Sequence, residues 1–120
     1  MNFDNFTIKS QEAVQEAVRI AKQNGNQAIE PVHLLQAVIS KGESVVKFIF
    51  QKLGINHSLI EMQIDKAINS LPKISGGDEQ YLSRDANDVL LKSIDCSKKL
   101  GDEYVTLEAL LMAIFKTNNP

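Results

Sequence analysis

Apolar residues recur along this chain with the period of an α-helix, in stretches separated by glycine, proline and short polar runs. Ala13, Val14, Ala17, Val18 and Ala21 form one stripe. Thr7 stands where an N-cap hydroxyl would accept a free amide of the first turn, and Gly25 where a left-handed residue would end the helix. Pro31 suits the first position of a second helix through Leu34, Leu35, Val38 and Ile39, which stops near Gly42. Ser44 is expected to cap a short third helix bearing Val45, Val46, Phe48, Ile49 and Leu53, ended by Gly54. Asn56 or Ser58 then caps a fourth, whose Ile60, Ile64, Ala67, Ile68 and Leu71 make one buried face. Pro72 to Gln80, with Gly76-Gly77, reads as a loop. Beyond it a stripe of Ala86, Val89, Leu90, Ser93, Ile94 and Ser97 follows Ser83 and closes at Gly101. Thr106 caps a last helix, Leu107 to about Lys116, that is apolar nearly all round and so requires burial or a partner.

Residues 6–39 and 82–115 carry the same pattern twice. Gly25 aligns with Gly101, an offset of 101 − 25 = 76, without a gap over 34 positions. Five pairs are identical, namely Lys22/Lys98, Gly25/Gly101, Leu34/Leu110, Leu35/Leu111 and Ala37/Ala113, whereas the apolar pattern is copied throughout. Thr7 meets Ser83, both capping residues. The expectation is an all-α, pseudo-twofold duplicated helical bundle: one domain over 1–120, with repeat 1 at about 6–71, a linker at 72–80 and repeat 2 at about 81–120. The first copy holds four helices and the second only about two, so a full second copy would need about 27 further residues; either the second repeat is truly shorter or the chain is a fragment, and the apolar surface left uncovered on the last helix favours the fragment. A seam between related halves is a natural place for a groove.

Composition narrows the chemistry. The chain has 120 residues, enough for a core without staples, and a formal net charge of −2. Its Lys and Arg are scattered, with one adjacent pair, Lys98-Lys99, which argues against nucleic acid as partner. A single cysteine, Cys96, fits a reducing compartment; it aligns with Ile20 and so reads as a packing residue. There is no signal-like start and no apolar run near the roughly 18 residues of a membrane span, so a soluble cytoplasmic domain is expected. His33 and His57 lack the partners of a zinc site, and no phosphate-binding G-x-x-x-x-G-K-[ST] run occurs. No catalytic residue, metal or cofactor is expected in this chain, and His33 reads as a helix-start residue.

Phe6-Thr7-Ile8-Lys9-Ser10-Gln11-Glu12-Ala13, Ile29-Glu30-Pro31-Val32-His33-Leu34-Leu35, Tyr81-Leu82-Ser83 and Gly101-Asp102-Glu103-Tyr104-Val105 stand in this order along the chain. Together they resemble the Clp amino-terminal domain, the duplicated all-helical module that precedes the ATPase rings of Clp-type unfoldases. The linker Leu71 to Gly77 and the Ile-Glu-Pro-x-His start look most like the ClpB disaggregase branch. The resemblance implies a non-catalytic module that engages unfolded or aggregated polypeptide for a stress-response chaperone. It also implies a hexameric parent whose ATP is used in modules outside this chain. Docking of a specific folded adaptor protein is the alternative.

The resemblance also implies substrate contacts at Thr7, Asp102 and Glu108. Each has a structural reading as well: an N-cap, a turn residue, and an acid favoured by the helix dipole. Among apolar positions, Leu90 and Ala109 are expected to wall a groove, with Met112 as an adaptable contact or a core filler, and Leu110 and Ile94 are expected to be mainly core. Related clients carry phosphoarginine, read by a glutamate in each repeat; here Val32 stands opposite Glu108, which disfavours a symmetric reader of that kind.

Overall fold

A computed structural model describes residues 2–74 and 79–117, so the Gly76-Gly77 loop assignment lies outside the described residues. The element order is α1 (Ile8–Gln23), β1 (Ala28–Ile29), α2 (Pro31–Lys41), α3 (Glu43–Leu53), α4 (His57–Asn69), β2 (Tyr81–Leu82), α5 (Arg84–Lys99) and α6 (Leu107–Lys116). Helix starts follow the expected chemistry. Thr7 Oγ1 accepts from the Ser10 amide, Asn56 Oδ1 from Leu59, Ser83 Oγ from Ala86 and Thr106 Oγ1 from Ala109. Ser44 does not cap α3: the N-cap is Gly42, two residues earlier, and the helix begins at Glu43 because Gly42 joins it directly to α2. The Gly42 amide donates to Val38 O while its carbonyl accepts from Val46 N, leaving no room for a separate cap.

The duplication holds at the level of individual hydrogen bonds. Gly25 and Gly101 both take positive φ, 72° and 77°. The residue after each glycine reaches back into its helix, Asn26 N to Ala21 O and Asp102 N to Ser97 O, and these pairs are also 76 apart. The halves then interlock. β1 pairs in parallel with β2, Ile29 opposite Leu82, and a parallel bridge joins Phe6 to Val105. Thr7 N donates to Val105 O just as Ser83 N donates to Ile29 O. In each case the residue before a repeat's first helix pairs with the residue leading into the other repeat's second helix. Such reciprocity is what an approximate twofold relation between two copies produces.

One core runs through both halves. Ala17, Leu34, Val38, Leu90, Leu110 and Ala113 are fully buried in it, with Phe50 drawn in from α3. The small residues Ala13, Ala17 and Ala21 on α1 let α2 approach closely. α4 lays Ile64 and Ile68 inward, as its spacing predicts. Cys96 is buried like its counterpart Ile20, in keeping with a packing role.

Candidate functional site

Thr7, Asp102 and Glu108 gather about the Phe6–Val105 bridge. Thr7 follows Phe6 and donates its amide to Val105 O. Asp102 is exposed on the turn three residues before Val105, and Glu108 is exposed in the first turn of α6, three residues after it. Thr7 is also the N-cap of α1, and its hydroxyl hydrogen bonds Ser10 Oγ at 2.9 Å. Two exposed apolar side chains flank the bridge, Ile8 at 75% and Tyr104 at 49%. Neither stood out in the sequence, where Ile8 falls outside the α1 stripe and Tyr104 in a turn.

Leu90 and Ala109, expected to wall a groove, are instead fully buried. α5 packs on α6 along the face that carries them, which fills the space between the helices. Leu110 is core as expected, whereas Ile94 is only half-buried. Met112 is half-buried and lines an open apolar groove of about 300 Å³. α6 supplies its floor, with Glu108 at one end and Lys116 at the other; Ile49 and Leu53 of α3 and Leu100 after α5 form the walls. Phe115 separates this groove from a second apolar cavity of about 530 Å³, bounded by Val32 and Leu35 of α2 and Ile60 and Ile64 of α4.

In the first repeat, α4 packs on the face of α2 that corresponds to the α6 floor. Asn24, Gln36 and Ser40 line a cavity of about 440 Å³, and they are the equivalents of Leu100, Met112 and Lys116. α4 lies beside this cavity without closing it. The equivalents of Glu108 and Leu111, Val32 and Leu35, line the apolar cavity instead, and α4 lines both. In the polar groove Arg19 hydrogen bonds Glu16 and holds that carboxyl below its ordinary pKa.

His33 is buried in a chain of hydrogen bonds. Its Nδ1 accepts the Glu30 amide at 2.9 Å, which leaves the proton on Nε2 to donate to Asn26 Oδ1 at 3.0 Å. Asn26 Nδ2 in turn donates to Pro72 O at 3.1 Å. Ile74 N donates to Gly25 O, so residues 72–74 lie strapped against the turn after α1. Burial pushes the His33 pKa down to about 4, so the ring is neutral and structural.

A duplicated bundle locked by reciprocal strand pairs defines the protein's class: the chain belongs to the Clp repeat N-terminal domain family, which it matches over residues 5–120. It is 58% identical over 114 residues to chaperone protein ClpB of Bacteroides thetaiotaomicron, covering 95% of this chain and 13% of that protein. It is 49% identical over 117 residues to ClpB of Porphyromonas gingivalis, covering 98% and 13%. The chain thus spans a small part of the length of these curated relatives. Its fold matches the Hsp104 N-terminal domain from Candida albicans with a TM-score of 0.84 at 22% identity, covering 95% of this chain and 75% of that one. Among the described residues no helix is long and apolar enough to cross a membrane.

Proposed function

We propose that the chain is the substrate-engaging amino-terminal module of a ClpB-like disaggregase in the cytoplasm, and that it binds unfolded or aggregated polypeptide without catalysing a reaction. The observation that carries this reading is the set of exposed side chains about the Phe6–Val105 bridge. Ile8 and Tyr104 offer apolar contact there, and Thr7, Asp102 and Glu108 stand within a few residues of the same bridge. A short apolar segment burying about 300 Å² there gains roughly 7 kcal/mol at 25 cal/mol per Å². Association costs of about 4–15 kcal/mol offset most of it. Capture by one copy is weak, as suits a module that must release its client, and six copies on a hexameric parent would restore grip through avidity.

NMR titration of the chain with a permanently unfolded client tests this. Amide shifts should cluster at Thr7, Ile8, Tyr104, Glu108 and Met112, with fast exchange. Shifts scattered over the surface, or none, would sink the proposal. A slow-exchange, one-to-one complex with a folded partner and no response to unfolded chains would favour adaptor docking instead.

A further inference from the structure

We propose that His33 positions the linker between the two repeats, and that residues 72–74 form a strap that opens as a unit while both repeats stay folded. The hold begins at a group with no choice of role. A backbone N–H can only donate, so the Glu30 amide, 2.9 Å from His33 Nδ1, obliges that nitrogen to accept. The neutral ring then carries its proton on Nε2 and donates to Asn26 Oδ1 at 3.0 Å. With its oxygen turned to the ring, Asn26 presents Nδ2 to Pro72 O at 3.1 Å, and a carbonyl can only accept. The two ends of this relay are fixed in kind, so neither the tautomer nor the amide can reverse without orphaning a buried group. His33 is fully buried and Asn26 is 2% exposed, which makes such an orphan costly.

Among the described residues the strap's other hold is Ile74 N, which donates to Gly25 O at 2.9 Å, with Lys73 lying over Gly25. Pro72, Lys73 and Ile74 are all exposed, so hydrogen bonds rather than a core secure them. Such an element opens at far lower cost than the helices it lies on. It also docks where the repeats meet. The carbonyls of Gly25, Gln27 and Ile29 accept in turn from Ile74, Tyr81 and Ser83, so the strap takes the first acceptor of a run whose next two seat β2 and the cap of α5. The second repeat cannot build the same device. Its equivalents of Asn26, Glu30 and His33 are Asp102, Thr106 and Ala109, which offer neither the amide donor nor the ring. The relay therefore belongs to the junction and not to the duplicated pattern, and it stands whatever the domain binds.

Native-state amide exchange of the chain, followed by NMR at neutral pH with and without a little urea, tests this. The Ile74 amide should be protected about ten-fold or more against an unstructured peptide, yet exchange at least about ten-fold faster than Ala17 and Val38 in the helices. Its rate should not respond to urea below the unfolding transition, because a local opening exposes little new surface. The ring 15N shifts should place the His33 proton on Nε2. Asn26→Asp keeps the acceptor for His33 and removes the donor to Pro72, so Ile74 exchange should rise about three- to ten-fold beyond any change at Ala17 and Val38. An unprotected Ile74, or one that follows the urea slope of Ala17 and Val38, would overturn the strap as a separate unit. A proton on Nδ1, or an Asn26→Asp chain whose Ile74 gains nothing over the helices, would overturn the relay. If Asn26→Asp does not fold, the urea slope and the ring tautomer of the unaltered chain decide the matter.

Discussion

Acidification from pH 7.5 to 5.0 should weaken the fold chiefly through His33, ahead of most carboxylate titration. In the folded chain His33 is buried and neutral, with its pKa lowered by desolvation to about 4. In the unfolded chain it titrates at its ordinary value of about 6.5. The unfolded state therefore takes up the proton first, and stability falls with pH across that window: it is complete above about pH 6.5 and lost as pH approaches 4. At pH 5.0 those two values give close to 2 kcal/mol as an upper bound, so about 1–2 kcal/mol is expected. Protonation also puts a second N–H on Nδ1, opposite the Glu30 amide that it now accepts. Urea denaturation at the two pH values checks the loss, and with a slope of about 1–1.5 kcal/mol per M the midpoint should drop by roughly 1 M. His33→Gln removes the titrating group while placing at N3 a side chain able to accept the Glu30 amide. That variant should show a much smaller drop. An equal drop in the variant, or a His33 ring titrating near 6.5 by NMR, would refute the reasoning.

Leu90→Ala should destabilise the fold by about 2–5 kcal/mol in urea, because Leu90 is core and leaves a cavity; a cost below about 1 kcal/mol would restore it to a groove wall. Gly42→Ala should cost about 1–3 kcal/mol by thermal melt, since its Cβ would stand 2.7 Å from Leu107 Cδ1 and 3.2 Å from Val38 O. Thr7→Ala and Ser83→Ala should each lose about 1 kcal/mol, because the two hydroxyls cap equivalent helices; in a titration, only Thr7→Ala should also weaken client binding.

The helices were legible because their information is local. Caps at Thr7, Asn56, Ser83 and Thr106 and the glycine ends at Gly25, Gly54 and Gly101 all lie within a few residues of the turns they control. Copying at an offset of 76 also revealed the two halves, since apolar spacing survives where identity does not. The strand pairs were not legible: two residues are too short for any alternation, and Phe6 finds Val105 only once both repeats have packed. Periodicity marks Leu90 and Ile94 as lying on one stripe, yet it cannot say which of them sits at the seam with α6. The structure buries the first completely and leaves the second partly open. Met112 and Glu108 were the groove residues within reach of sequence, and their partners Leu53 and Leu100 come from helix ends whose meeting is purely tertiary.

The Phe6–Val105 bridge also fixes a timetable. It spans 105 − 6 = 99 positions of the chain, so during synthesis Phe6 emerges from the ribosome long before its mate exists. Helices α1 to α4 can assemble meanwhile, but the leading arm stays unlatched until the segment between α5 and α6 has been made.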